Sequence, residues 1–299
     1  MASAQTLTYL GNCHCGGYRF EISLPRIESA ISCSCSVCSK KDSLWVIPEE
    51  KAFRVVRDDG HLVEYESRSL KEKFCGSCGT QVTAEHQIGD LARCFLVNIR
   101  TIRSPYVNPF QLKYFTPLMS FQSLTLKRKT IMTASVVDKN EAKQIAVGAS
   151  HALTQHNFVC HCQRIRAELL VTLQDQEIKE DNCSACVRNA YIGVYPKKEQ
   201  VIIYGRENGF EYLTGRKYSG AVHCKTCGVQ VFSNIYGPPR SMFDKLAPER
   251  KEKALKVYHK NMQLQPLNVR AVEGVDISSL HIIRSDEGTE GYKLDEEKH

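Results

Sequence analysis

Cys33, Cys35 and Cys38 fall within six positions, in the stretch SCSCSVCSK. Three thiols that close cannot all pair with one another. They form a metal grip, a redox device or a reactive nucleophile. Most of the other cysteines also come in short-spaced sets. Cys13 and Cys15 make a C-x-C; Cys75 and Cys78 make a C-x-x-C. Further on, Cys160 with Cys162, Cys183 with Cys186, and Cys224 with Cys227 do the same.

Two such knuckles, far apart in sequence, assemble a four-thiolate zinc site, because each offers two sulfurs to a tetrahedral ion. Cys13, Cys15, Cys75 and Cys78 make one such set, and Cys160, Cys162, Cys224 and Cys227 a second. A site of this kind is coordinatively full, so its role is to hold the fold together. Gly79 and Gly228 follow the second knuckles and suit a turn that aims backbone N–H groups at sulfur.

The inner triplet is different. Three protein ligands with a fourth position open is the arrangement of a catalytic zinc, which binds and orients a small thiol or oxygen ligand. A second structural metal, completed by a residue from elsewhere, is the alternative. A Cys35–Cys38 redox pair is another, although no thioredoxin-like βαβ pattern surrounds it.

The elements that must hold these cysteines occur twice. Adding about 148 to the early positions lands on the later ones, and the intervening text repeats: CHCGGYRFEI answers to CHCQRIRAEL, KFCGSCGTQV to VHCKTCGVQV, and LVNIRTI to PLNVRAV. The chain reads as a tandem duplication. Asp181 stands where the first copy has Cys33, so the second inner set is Asp181, Cys183 and Cys186, which grips zinc less firmly. Cys94, in ARCFLVNI, matches none of the sets and reads as a core thiol on a buried strand.

Tyr18–Ile22 alternates with period two, as do Phe53–Val56 and, more loosely, Ala167–Val171, which predicts half-buried strands. Turn residues such as Asp58-Asp59-Gly60 and Glu207-Asn208-Gly209 break these runs. The best helical pattern is Pro248–His259, where the proline opens a charged first turn and Leu255 and Tyr258 supply an apolar edge. Two mainly β domains follow, over residues 7–115 and 156–285. A polar linker spans 116–155, and an acidic, disordered tail spans 286–299.

Composition narrows the class. The 299 residues are 42% hydrophobic, enough to build real cores. The net charge of +7 is spread out; the tightest basic cluster is Lys127–Lys129. A nucleic-acid binder shows a concentrated basic stripe instead. No basic leader with a long apolar run opens the sequence, and no stretch is long enough to cross a membrane. A cytoplasmic protein with reduced thiols is the simplest reading, and there fourteen cysteines mean metal or catalysis rather than disulfides.

CHCGGYRFEI, CSCSVCSKK and KFCGSCGTQV, in that order and spacing, resemble the glutathione-dependent formaldehyde-activating enzyme family, which includes centromere protein V. Tandem copies in one chain are similar to those of fungal members. The resemblance implies small domains of curled antiparallel sheets, Mss4-like, with a structural zinc on Cys13, Cys15, Cys75 and Cys78 and a second zinc on Cys33, Cys35 and Cys38. It implies carbon–sulfur lyase chemistry, in which glutathione and formaldehyde join as S-hydroxymethylglutathione. Glutathione is anionic, so Lys40, Lys41 and Lys73, beside the knuckles, are candidates to meet its carboxylates. His14 and His161 sit inside the C-x-C pairs, where the flanking cysteines already supply the ligands; they read as loop side chains. A non-catalytic zinc-stabilised scaffold for a protein or nucleic acid is the alternative to an enzyme.

Overall fold

The computed structural model describes residues 5–103, 113–115 and 156–285. The linker expected at 116–155, with its Lys127–Lys129 cluster, and the tail expected at 286–299 lie outside the described residues.

The N-terminal half contains β1 (Leu7–Asn12), β2 (Tyr18–Leu24), β3 (Ser29–Ser32), α1 (Ser36–Lys41), β4 (Leu44–Val46), β5 (Phe53–Asp58), β6 (Leu62–Glu66), β7 (Leu70–Cys75), β8 (Gln81–His86), β9 (Phe95–Asn98), β10 (Ile102–Arg103) and β11 (Lys113–Phe115). The C-terminal half contains β12 (His156–Val159), β13 (Arg166–Leu169), β14 (Ile178–Asp181), α2 (Ser184–Asn189), β15 (Ile192–Val194), β16 (Val201–Tyr204), β17 (Gly209–Leu213), β18 (Ser219–Cys224), β19 (Gln230–Ile235), α3 (Pro248–Met262), β20 (Leu267–Asn268) and β21 (Ile282–Ser285). Several short single-turn 3-10 segments punctuate both.

Each half builds a small sheet and a seven-stranded sheet. The small sheets run β10-β1-β2-β5 and β12-β13-β16. The large sheets run β11-β3-β4-β9-β8-β7-β6 and, in the corresponding order, β21-β14-β15-β20-β19-β18-β17. Nearly all pairings are antiparallel; the outermost β11–β3 and β14–β21 pairs are parallel. The architecture is mainly β. None of the described helices is long and apolar enough to cross a membrane.

β2 behaves as its alternation requires. Tyr18, Phe20 and Ile22 are buried while Arg19 and Glu21 face outward. Each fully buried side chain of this size contributes about 1.5–3 kcal/mol. β5 is a strand as expected, but only partly inward-facing: it lies at the sheet edge, and Val55 and Val56 are about half exposed. The α3 helix runs three residues beyond the predicted Pro248–His259, with Pro248 in its first turn.

The cores seat the cysteines. Cys13, Cys75 and Cys78 pack with Phe20, Ile22 and Val97 in one apolar cluster. Cys160, Cys224 and Cys227 pack with Phe158, Ile165 and Phe232 in another. Cys33 and Cys38 sit in a third, with Val37, Trp45, Leu70 and Leu96. Cys94 packs against this third cluster, but half-buried and one residue before β9, rather than on a buried strand.

Candidate functional site

Among the described residues, four groups of ligand atoms converge. The sulfurs of Cys13, Cys15, Cys75 and Cys78 all lie within 4.8 Å of one another, as do those of Cys160, Cys162, Cys224 and Cys227. The same limit holds for Cys33, Cys35 and Cys38, and for the Asp181 carboxylate with Cys183 and Cys186. In the outer sets, sulfur pairs stand 3.4–3.6 Å apart. Zinc–sulfur bonds of about 2.3 Å in a tetrahedron need a similar spacing. The donor sets fit zinc.

Backbone geometry brings the sulfurs together. The first knuckle of each outer set turns so that one N–H points at sulfur: Tyr18 N lies 3.3 Å from Cys13 Sγ, and Ile165 N 3.2 Å from Cys160 Sγ. The glycines expected to do this do something else. Gly79 N and Gly228 N donate to the carbonyls of Cys75 and Cys224 at 2.8 Å. Both have positive φ, +75° and +67°, which favours glycine. Both also lack room: a Cβ on Gly79 would meet the His223 ring at 2.1 Å, and one on Gly228 the Phe74 ring at 2.7 Å. Each glycine is where one half packs against the other.

The inner triplet hangs on the start of α1, with Cys35 at the N-cap. Cys33 and Cys38 are buried, and Cys35 is partly exposed, so the group opens outward at Cys35. In the thiol state, crowding divides the charge. Hydrogen bonds from Cys33 and then Cys38 pull the Cys35 thiol well down, while Cys35 pushes Cys33 up and Cys33 pushes Cys38 up. A divalent cation removes that conflict by letting all three ionise.

Two groups contact these sulfurs from behind, and sequence reasoning missed both. Trp45 Nε1 donates to Cys38 Sγ at 3.4 Å. His86, fully buried, places Nε2 3.5 Å from Cys33 Sγ and Nδ1 2.7 Å from the Ile88 carbonyl. The C-terminal half keeps Cys183 and Cys186 for Cys35 and Cys38 but differs at three corresponding points: Asp181 for Cys33, Gly193 for Trp45 and Ile235 for His86. There the Asp181 carboxylate accepts from Cys183 N, and Cys183 Sγ lies 3.1 Å from Cys186 Sγ. The lone tryptophan of the chain, the second residue of β4 after the triplet's helix and its turn, was the available signal.

The histidines inside the C-x-C knuckles reach across to the opposite half. His14 Nδ1 is 2.7 Å from Tyr212 Oη and its Nε2 3.1 Å from Ser184 Oγ. His161 Nδ1 is 2.7 Å from Tyr65 Oη and its Nε2 2.9 Å from Ser36 Oγ. Burial, then the Arg188 charge, holds the His14 ring down at about 4, and burial lowers His161 as well. Each ring also meets its tyrosine edge-on.

The candidate glutathione-binding lysines divide. Lys40 reaches over to the carbonyls of Val159 and Ala271, at 2.8 and 3.2 Å. Lys41 is 8% exposed and pairs with the fully buried Glu72 at 2.6 Å. A buried ammonium needs such a partner, so Lys41 is taken up inside the fold, while half-buried Lys40 spends two of its three donors on those carbonyls. Lys73 is exposed on β7. Arg188 donates to Asn12 O, as Lys40 does to Val159 O, and Arg270 pairs with Asp42 at 2.9 Å.

Residues 8–114 match the family model described as glutathione-dependent formaldehyde-activating enzyme. A solved structure of a Rhodobacter sphaeroides protein is also similar, at 23% identity, covering 43% of this chain and 97% of its own, with a TM-score of 0.30. By the family model, the N-terminal half is similar, over almost all of its described length, to the family its three cysteine motifs resemble. Its mainly β, antiparallel build is the Mss4-like one expected of that family.

Proposed function

We propose that Cys33, Cys35 and Cys38 hold a zinc ion with one position open, and that this site interconverts a thiol and an aldehyde with their adduct, as a carbon–sulfur lyase. The observation that carries this reading is the convergence of three sulfurs within 4.8 Å of one another, a group that His86 Nε2, 3.5 Å from Cys33 Sγ, borders without joining. It lies in the half that matches the formaldehyde-activating model. When bound, zinc supplies Lewis acidity and a place for an incoming thiolate.

In the joining direction, a thiolate sulfur attacks the carbonyl carbon and a C–S bond forms. The C=O π pair moves onto oxygen, which takes up a proton. In the lyase direction, the hydroxyl loses that proton, the C=O bond reforms and the C–S bond breaks. Trp45 and His86 hold Cys38 and Cys33 in place from the buried side, so the reacting groups meet at the exposed side, by Cys35. Glutathione, or another thiol adduct of an aldehyde, is the substrate class, and the net positive charge attracts an anionic thiol.

The outer sets, Cys13/Cys15/Cys75/Cys78 and Cys160/Cys162/Cys224/Cys227, are structural zinc sites in this reading. The chain is a tandem duplication with domains at 7–115 and 156–285, and the set Asp181/Cys183/Cys186 is a degenerate copy. Cobalt(II) substitution tests the open position. Adding glutathione to the cobalt protein should change the thiolate-to-metal absorption bands, and the change should vanish in Cys35→Ser. Bands that ignore added thiol in the wild type would contradict an open inner site.

A further inference from the structure

The cross-half histidines give the inner site a partner that its own half does not contain. Ser36 directly follows Cys35 and begins α1. Tyr65, on β6, packs against the cluster that holds Cys33 and Cys38, and also against the core of the C-terminal half. His161 stands between their hydroxyls, 2.9 Å from one and 2.7 Å from the other. The knuckle carrying His161 is fastened from the N-terminal half as well, because Lys40 of α1 grips the carbonyl of Val159. The arrangement is reciprocal: His14 stands between Tyr212 and Ser184, beside the set with Asp181. Only the His161 side faces a complete thiolate triplet.

A neutral imidazole has one donor and one acceptor nitrogen. If Nε2–H donates to Ser36, Nδ1 accepts from Tyr65, and the Ser36 hydroxyl hydrogen is left to donate elsewhere. If Nδ1–H donates to Tyr65, Nε2 accepts from Ser36, and the Tyr65 hydroxyl hydrogen is left. In both tautomers one hydroxyl hydrogen, and only one, is directed away from the ring.

We propose that the inner site is composite: His161, contributed by the C-terminal half, positions Tyr65 and Ser36 so that one hydroxyl donates, beside Cys35, to the oxygen of the aldehyde adduct. This rests on the reaction proposed above. That oxygen gains negative charge as the C–S bond forms, so a fixed donor there lowers the barrier. His161 is a positioning residue. The C-terminal half, with its degenerate inner set, thereby has a role in the chemistry of the other half.

The test uses the full-length protein and the variants His161→Ala, His161→Asn and Tyr65→Phe. His161→Ala should lower kcat at least about tenfold with KM nearly unchanged. His161→Asn, which keeps a donor and an acceptor, should recover part of the loss. Tyr65→Phe keeps the ring and changes no residue of the Cys160–Cys162 knuckle, so a matching loss with the outer-set cadmium resonances unmoved separates positioning from damage to that knuckle. In the cadmium-substituted protein, the resonance lost in Cys35→Ser identifies the inner site, and it should shift in His161→Ala and Tyr65→Phe. Wild-type kcat and an unshifted inner resonance in both variants would overturn the proposal. If the wild type does not accelerate adduct exchange, the assigned reaction falls and the cadmium resonance decides alone: a shift keeps the composite site, and no shift removes it.

Discussion

His86 faces the sulfur of Cys33 through Nε2, at 3.5 Å, from a fully buried position on β8. Its other nitrogen is held by the Ile88 carbonyl, so the ring's orientation is fixed from both sides. Partners of this kind set the position and basicity of a metal ligand, and losing one typically costs 10–100-fold in affinity. His86→Ile, which copies the C-terminal half, should therefore weaken inner-site zinc by about that factor and leave the two outer sites intact. Chelator competition, followed as zinc released per chain, measures this. Unchanged release of the weakest zinc would show that His86 does not support Cys33.

Asp42 links the halves. Its carboxylate bonds Arg100 of its own half and pairs with Arg270 of the other. Burial pushes this carboxyl up, but Arg100 and Arg270 outweigh it and hold it below its usual value. A depressed folded pKa gives stability that is present above the unfolded value, about 3.9, and is lost as pH falls through the folded one. Asp42→Asn should destabilise the protein by about 2–4 kcal/mol near neutrality, since it leaves the almost fully buried Arg100 without its countercharge. The gap to wild type should narrow as pH drops below about 4. Urea denaturation of both proteins across that range checks it; a gap that widens on acidification would contradict the assignment.

Gly79 and Gly60 share nearly the same φ, +75° and +76°, but not the same surroundings. Nothing lies within 4 Å of a Cβ on Gly60, whereas one on Gly79 would overlap the His223 ring. Gly60→Ala should cost only the left-handed strain, about 1–2 kcal/mol. Gly79→Ala should cost that plus the displacement of the opposite half, at least about 1 kcal/mol more. Thermal melts of the two variants compare the terms directly. Equal losses would mean that the halves do not pack through Gly79.

The cysteine sets were legible because their C-x-C and C-x-x-C spacing is written in a few adjacent residues. C-x-C and C-x-x-C need no knowledge of the fold, and all four groups assemble in space as the spacing suggested. β2 was legible for the same local reason. His14, His161 and Lys40 were not. Their partners, Tyr212, Tyr65 and Val159, lie between 96 and 198 positions away or across the interface, where no short-range pattern reports contact. Lys41 looked like a solvent-facing cation beside a knuckle. Only the strand pairing that places Glu72 opposite Ala84 on β8, beneath the helix, buries it. Gly79 and Gly228 were read as sulfur-facing turns; close packing between the halves was the second constraint on them, and it leaves no trace in one sequence.

The most direct test of the central claim is two-dimensional exchange NMR on glutathione and carbon-labelled formaldehyde with the zinc-loaded protein. Wild type should speed interconversion of the free and hydroxymethyl forms above the uncatalysed exchange, and Cys35→Ser should return it to that background while keeping the fold. Exchange no faster with wild type than without protein, or equally fast with Cys35→Ser, would contradict the assignment of this chemistry to the inner triplet.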